Sequence, residues 1–392
     1  MSRTMEPTSA AGVADAVRAA SADHSPIEIL GGGTKRGLGR PPQAGVTLST
    51  RGLSGLLFHE PAELVISARA GTPLAEVEAA LAEKGQMLPF EPIDHRPILG
   101  SSGEPTIGGI VAAAVSGPRR IAAGACRDAL IGVKFVNGRG EEITSGGRVM
   151  KNVTGYDLLK LQCGAFGTLG VLTEVTFKVL PKPAGEATLV FTGLDDRAGI
   201  AALCAGFGTP YEVTAAAHVP GVVSQTLLRL ENFPKSLSYR TGRLIDDLAA
   251  HGRPGVVEGE ASATLWRSVA RLDTLPRDGA LWRVSTAPTR GPEVVERAGA
   301  SVRARLYDWS GGLVWIAADA TGDAGAGAIR AAVAATGGHA TLVRAPDAVR
   351  AAIPPYQPKA PAHEAHPRAT RPVFDPAGVF NPGRMHAGIL VP

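Results

Sequence analysis

Three glycine-rich stretches, opening at Gly31, Thr106 and Gly146, constrain what this chain can fold into more than any other feature. Glycine lets backbone approach a phosphate closely and aim N–H groups at it. The first stretch, Ile27-Glu28-Ile29-Leu30-Gly31-Gly32-Gly33-Thr34-Lys35, reads as a short strand that ends in glycines. Two familiar phosphate motifs fail here. A P-loop needs four residues between its first glycine and a Gly-Lys-Ser/Thr, and Gly33-Thr34-Lys35 has the wrong order. A dinucleotide fingerprint must open a helix, which Arg36-Gly37-Leu38-Gly39-Arg40-Pro41-Pro42 cannot do. A plain glycine turn between strands is the alternative reading.

The second stretch, Pro105-Thr106-Ile107-Gly108-Gly109, sets a glycine pair at the start of a short helix of small side chains. The N-terminus of such a helix is an expected anion site for a diphosphate. A tightly packed core helix is the alternative. The third stretch runs from Gly146 to Val171, with glycines next to polar side chains at Asn152–Leu158 and Gly164–Val171. Together the three surfaces suit a long ligand that contains a diphosphate, and FAD fits better than a mononucleotide.

Composition removes other classes. The 392 residues carry 40 basic and 36 acidic side chains, a net charge of +4 without a Lys/Arg block, so nucleic acid is not expected as a partner. Aromatics at 5% are too few for base-stacking platforms. There is no run of 18 apolar residues for a membrane span, and Met1–Ser25 lacks the apolar core of a secretory signal. Cys126, Cys163 and Cys204 are far apart, with no CxxC, so the chain's own thiols cannot hold an iron–sulfur cluster or a zinc ribbon. They read as reduced, mostly buried thiols of a cytoplasmic protein.

Along the chain, a helix with Val13, Val17 and Ala20 on one face precedes the first glycine strand. Thr72-Pro73 is expected to open a second helix, with Thr72 as N-cap and Leu74, Val77 and Leu81 buried. Ile131–Val136 and Glu141–Thr144 flank Asn137-Gly138 as a hairpin, and Leu169–Leu180 alternates like a strand. Pro181-Lys182-Pro183 is the expected domain boundary. Beyond it come a helix around Ala198–Cys204, strands at Leu227–Leu230, Leu281–Thr286 and Leu313–Ala318, and an Ala-rich helix at Ala324–Ala335. The sequence therefore divides into residues 1–183, an α+β unit over 184–345, an irregular Pro/Ala-rich connection over 346–373, and a C-terminal segment over 374–392.

Thr106–Gly109, Ser116-Gly117-Pro118-Arg119-Arg120, Gly124, Arg127-Asp128, Asn152–Leu158 and Gly167–Val171 in combination resemble the FAD-binding domain of the vanillyl-alcohol oxidase and p-cresol methylhydroxylase (PCMH) superfamily. The likeness covers about residues 5–183. Arg229-Leu230-Glu231, Leu281-Trp282-Arg283, Gly337–Thr341 and Asp375–Arg384 resemble the E-type FAD-binding subunits of bacterial glycolate oxidase (glycolate dehydrogenase). The resemblance implies an α+β fold, a two-subdomain PCMH-type FAD-binding domain with a smaller α+β cap domain. It implies a FAD-dependent oxidoreductase subunit acting on a small 2-hydroxy acid, glycolate, with a homologous FAD subunit and an iron–sulfur subunit as partners, and membrane association, if any, through them. The alternative is a FAD-carrying assembly and electron-relay subunit without its own substrate site.

The resemblance places Gly31, Gly32, Gly33, Thr34 and Lys35, with Thr106, Ile107, Gly108 and Gly109, around the diphosphate. Ser116, Gly117 and Gly124 are expected by the ribityl chain or flavin, and the backbone of Val171 by the adenine. Many members attach the flavin through a His in the first glycine loop. Here Thr34 follows the glycines, so non-covalent FAD is expected.

Related 2-hydroxy-acid dehydrogenases carry a His cluster for a metal in the cap. Asp308-Trp309-Ser310-Gly311-Gly312-Leu313-Val314-Trp315 has no His, and His363 and His366 lie in a Pro/Ala-rich stretch, so no metal is expected. His339, after a Gly-Gly turn, reads as structural. Arg283 and Arg384 are the candidates for the substrate carboxylate, and no catalytic base stands out.

Overall fold

The computed structural model describes residues 3–148, 156–358 and 369–387. They form two compact units. The first consists of the chain up to Ser116, Gly124–Lys182 and the C-terminal segment from Pro358. The second consists of Gly117–Ala123 and Pro183–Gln357. The transfer of Gly117–Ala123 to the second unit leaves no mark in the sequence pattern.

Besides the two-stranded pairing of Gln86–Met87 with Leu180–Pro181, the first unit holds two larger sheets. In the smaller, Ile27–Leu30 and Arg3–Met5 each pair in parallel with Val46–Ser49. Helix Ala10–Ala22 buries Val13, Ala14, Val17 and Ala20, and Ser9 caps it by accepting from the Gly12 N–H at 3.1 Å. That face joins Ile27, Leu48, Val136, Val171 and Phe380 in one core. Each such fully buried aliphatic or aromatic side chain contributes about 1.5–3 kcal/mol. Phe380 belongs to the C-terminal segment, whose Val379 carbonyl accepts from the Ile27 N–H at 2.9 Å. This segment is therefore part of the wall from which the first glycine loop emerges.

The larger sheet is antiparallel, in the order Leu56–Glu60, Val65–Arg69, Val171–Lys178, Leu130–Val136, Glu142–Gly146. After Val65–Arg69 the chain enters helix Leu74–Glu83, which starts two residues later than the expected Thr72 cap. Pro73 occupies the cap position with no side-chain bond. The Thr72 hydroxyl is fully buried and donates instead to the Arg69 carbonyl at 2.7 Å, while it accepts from the Gly55 N–H at 3.0 Å. A buried hydroxyl takes the nearest backbone partner, and here tertiary contacts supply it.

The second unit is built on an eight-stranded antiparallel sheet. Its order is Gly255–Glu258, Gly185–Thr192, Gln225–Asn232, Ala215–Val219, Ala304–Asp308, Leu313–Ala318, Ala280–Ser285, His339–Arg344. Helices Asp196–Phe207, Pro234–Asp247, Gly291–Ala298 and Ala326–Thr336 contribute Ile200, Leu244, Val294 and Ile329 to a core with Trp282 and Tyr307. The stretch read from sequence as an irregular connection begins with helix Asp347–Ala352. Beyond it, the Pro355 carbonyl accepts from the Leu342 N–H at 2.7 Å, which blunts the edge strand.

Inside this unit Arg119 makes a two-pronged ion pair with Glu231, and Arg229 approaches the same carboxylate at 3.5 Å. All three side chains are almost fully buried. The pairing fixes Gly117–Ala123 against strand Gln225–Asn232. Among the described residues no helix is long and apolar enough to cross a membrane.

Candidate functional site

A cleft opens in the first unit between the end of strand Ile27–Leu30, helix Ile107–Ala112 and the C-terminal segment. Of the residues singled out from sequence it brings together Gly31, Gly32, Gly33, Thr34, Lys35, Thr106, Gly108 and Gly109. The glycines there do two different things. A Cβ on Gly31 would lie 2.3 Å from the Thr106 hydroxyl oxygen, and one on Gly32 would lie 1.6 Å from the Glu104 carbonyl oxygen. Gly31 is glycine because the Thr106 side chain abuts it, and Gly32 because the backbone of Glu104 does. Gly33, at φ +80°, would meet nothing within 4 Å, so its freedom serves the turn and leaves open space beside it.

The two glycine stretches expected around a diphosphate differ in the donors they leave open. At the start of helix Ile107–Ala112 the N–H of Ile107 donates to the Thr72 carbonyl at 2.9 Å, and that of Gly108 to the Ala70 carbonyl at 2.8 Å. The Gly109 N–H donates to the Thr106 hydroxyl at 3.3 Å. The chain leaving strand Val65–Arg69 thus occupies this helix terminus. By contrast, among the described residues the N–H groups of Gly32, Gly33, Thr34 and Lys35 meet no protein acceptor. Successive unpaired amides at a glycine turn form a concave anion receptor.

Lys35 adds the charge. Its ammonium is half-buried, 3.4 Å from the Thr34 hydroxyl. Burial pushes its pKa down to about 8, with Asp94 opposing that shift and Arg96 adding to it. Arg384, read from sequence as a substrate ligand, lines this same cleft and donates to the Lys35 carbonyl at 2.9 Å. Asn381 also lines it. Its carbonyl oxygen accepts from the Ile29 N–H at 2.9 Å and its amide donates to the Phe166 carbonyl at 2.7 Å. Sequence reading missed Asn381 as a site residue. Its signal was the Asn381-Pro382-Gly383-Arg384 turn, whose destination only the fold shows. The donor set, cationic and rich in open amides, fits a diphosphate.

Five expected residues do not line the cleft. Ile107 is buried behind it. Ser116 accepts from the Cys126 N–H at 3.0 Å, and Gly124 turns at φ +84° against Asp128. The Gly117 carbonyl accepts from the Trp309 indole N–H at 3.1 Å, inside the second unit. Val171 lies in the core paired with Val136, while its neighbours Gly170 and Leu172 reach the cleft.

In the second unit Arg283 sits on strand Ala280–Ser285, opposite Trp315 and Thr341. Its guanidinium lies 5.0 Å from the centre of the Trp309 ring. Burial lowers its pKa to about 10, and the positive charge of Arg120 adds to that. His218 is fully buried, with Nδ1 2.8 Å from the Thr226 hydroxyl and Nε2 3.4 Å from Asp196. Burial raises the pKa of Asp196, but bonds from His218, Arg305 and Tyr307 outweigh it and hold the carboxyl well below its usual value. This group is a closed structural network, spread over four elements and therefore invisible in sequence. His339 is exposed at the start of its strand. His363, His366 and Asn152–Gly155 lie outside the described residues. Among the described residues no three His, Cys, Asp or Glu side chains gather where they could hold a metal.

Residues 1–146 match the family model of an FAD binding domain. The chain is 35% identical to glycolate oxidase subunit GlcE of Escherichia coli K12 over 95% of both chains. It is 30% identical to glycolate oxidase subunit GlcD of Bacillus subtilis 168, over 54% of this chain and 43% of that one. A solved alkyldihydroxyacetonephosphate synthase shares the fold, with a TM-score of 0.69 over 97% of this chain and 76% of that one at 16% identity.

Proposed function

The chain belongs to the family of FAD-binding glycolate oxidase subunits, and on that premise we propose that it oxidises glycolate, or a similar small 2-hydroxy acid, to the corresponding 2-oxo acid. FAD, when bound, would take up the electrons, and an iron–sulfur subunit and a homologous FAD subunit would complete the complex. The observation that carries this reading is the run of unpaired amides at Gly32–Lys35 beside the Lys35 ammonium. These groups hold the diphosphate. Arg384 and Asn381 fix the loop from the far side. When bound, FAD supplies a two-electron acceptor. The loop offers no His or Cys, so the cofactor is non-covalent.

The second reading, a FAD-carrying relay subunit whose partner does the chemistry, is favoured by the state of the second unit's histidines. His218 is fully buried between Thr226 and Asp196, out of reach of a substrate hydroxyl. One preparation tests both. Acid precipitation should release all the flavin as FAD, and flavin retained on the pellet would overturn non-covalent binding. Glycolate-dependent dye reduction is then measured for the isolated chain and for the complex. Rapid flavin bleaching by glycolate in the isolated chain would eliminate the relay reading, whereas activity only in the complex supports it.

A further inference from the structure

Two guanidiniums converge on one indole ring in the second unit. Arg120 lies with its guanidinium carbon 4.4 Å from the Trp309 ring centre, and Arg283 with its own at 5.0 Å. Cation–π contact with an aromatic face accounts for one cation readily. It does not account for two like charges brought to the same ring. Among the described residues neither guanidinium makes an ion pair or a hydrogen bond to protein. Arg120 is exposed and its donors can meet water, but Arg283 is half-buried and bonds none of its five donors to protein, which is expensive unless something else accepts.

The surroundings hold this pair in place. The two adjacent arginines of the segment divide their tasks: Arg119 is clamped by Glu231, and Arg120 is thereby delivered to Trp309. Trp309 is fixed at both ends. Its backbone N–H donates to Asp308 at 2.7 Å and its indole N–H to the Gly117 carbonyl at 3.1 Å. The chain there runs through three consecutive left-handed residues, Trp309, Ser310 and Gly311, at φ +52°, +57° and +94°. Such a run in non-glycine residues persists only where the neighbourhood over-determines it. The Asp308 charge acts on Arg283 without a hydrogen bond between them, and the Asp308 carboxylate accepts from the Trp309 N–H.

We propose that Arg120 and Arg283, both held against the Trp309 indole, form a carboxylate-binding site that takes the carboxylate of the 2-hydroxy acid, with Arg120 as a binding residue that the sequence did not single out. This rests on the oxidase reading above for the identity of the acid. A carboxylate between two guanidiniums receives charge-assisted bonds from both, and Trp309 keeps the two cations together when it is absent.

The test uses the full purified flavoprotein and tryptophan fluorescence, with glycolate as probe and Trp309→Phe to assign the signal. Saturable quenching by glycolate is expected, absent with glycolamide, the neutral analogue. Arg120→Gln should raise the glycolate dissociation constant about 10-fold or more, Arg283→Gln should abolish the response, and Arg283→Lys should restore it in part. Equal response to chloride or sulfate at the same ionic strength would mean an adventitious ion only and would overturn the proposal. So would an unchanged constant in Arg120→Gln with its flavin content and circular dichroism intact. The flavin spectrum keeps the two readings apart. Glycolate binding without bound FAD would sink the oxidase reading and leave this site standing, whereas FAD without glycolate binding would do the reverse.

Discussion

The two units handle positive charge in opposite ways. In the first, the cleft is made positive by backbone: open N–H groups at Gly32–Lys35 and one half-buried ammonium. In the second, arginines are neutralised by carboxylates nearby, Arg119 by Glu231, Arg305 by Asp196, Arg303 by Asp278 and Asp319. A receptor built from amides needs glycine at fixed places, so substitutions there act sterically and locally. A unit held by side-chain pairs fails instead when one partner is removed and the other is left buried and charged.

The sharpest way to separate the units is Gly109→Asp. The new Cβ would stand 3.1 Å from the Thr106 hydroxyl and 4.0 Å from the Lys35 ammonium. Its carboxylate would pair with Lys35 and meet the diphosphate with like charge. Purified protein should carry essentially no FAD, a loss of several kcal/mol, read as the ratio of visible to ultraviolet absorbance. Full flavin content in this variant would mean that the cleft holds something else.

The complementary change, Glu231→Ala, leaves Arg119 and Arg229 buried without their carboxylate. It should cost about 3–5 kcal/mol in the stability of the second unit, seen as a lower denaturant midpoint, while the folded protein keeps its flavin. If FAD is lost in proportion to stability, the two units do not behave as separate functional parts.

Lys35 predicts a pH dependence of smaller size. In the free protein its pKa is about 8, and a bound diphosphate would raise it by favouring the charged form. FAD affinity should therefore be full below pH 8 and decline as pH rises through the pKa of the bound form. Lys35→Met should flatten that profile and weaken FAD by about 1.5–3 kcal/mol, measured by equilibrium flavin fluorescence. A flat profile in the unmodified protein would remove Lys35 from the site.

Gly33→Ala is the mildest change. A φ of +80° costs an alanine about 1 kcal/mol, and its Cβ has nothing of the protein to hit. Stability should fall slightly. A drop in FAD affinity larger than that cost would locate the cofactor directly against Gly33, and an equal drop would leave the turn itself as the cause.

The sequence reading found the loop Gly31–Lys35 and the pair Gly108-Gly109 because glycine runs after a strand are visible in a linear text. It expected both stretches to face the anion. The amides of Ile107–Gly109 look free at a helix start, yet the carbonyls of Ala70 and Thr72, in the turn after strand Val65–Arg69, consume two of them. Arg384 was read as a substrate ligand, and the C-terminal segment brings it instead to the Lys35 carbonyl. Arg120 was quoted as part of a family motif and given no role, since nothing in the sequence marks that it meets an indole 189 positions away.

The sequence by itself determined the family, the glycine turns and the apolar faces of helices such as Ala10–Ala22, because these depend on residue type and on periodicities of a few residues. Tertiary structure alone decided which donors stay open, which arginines are neutralised, and where the C-terminal segment and Gly117–Ala123 settle. Those outcomes depend on which acceptor or carboxylate lies within about 3 Å in space. Hydrogen bonds and ion pairs are short-ranged and saturable, so a donor's availability is fixed by its folded neighbours, and a sequence records the donor without recording the neighbour.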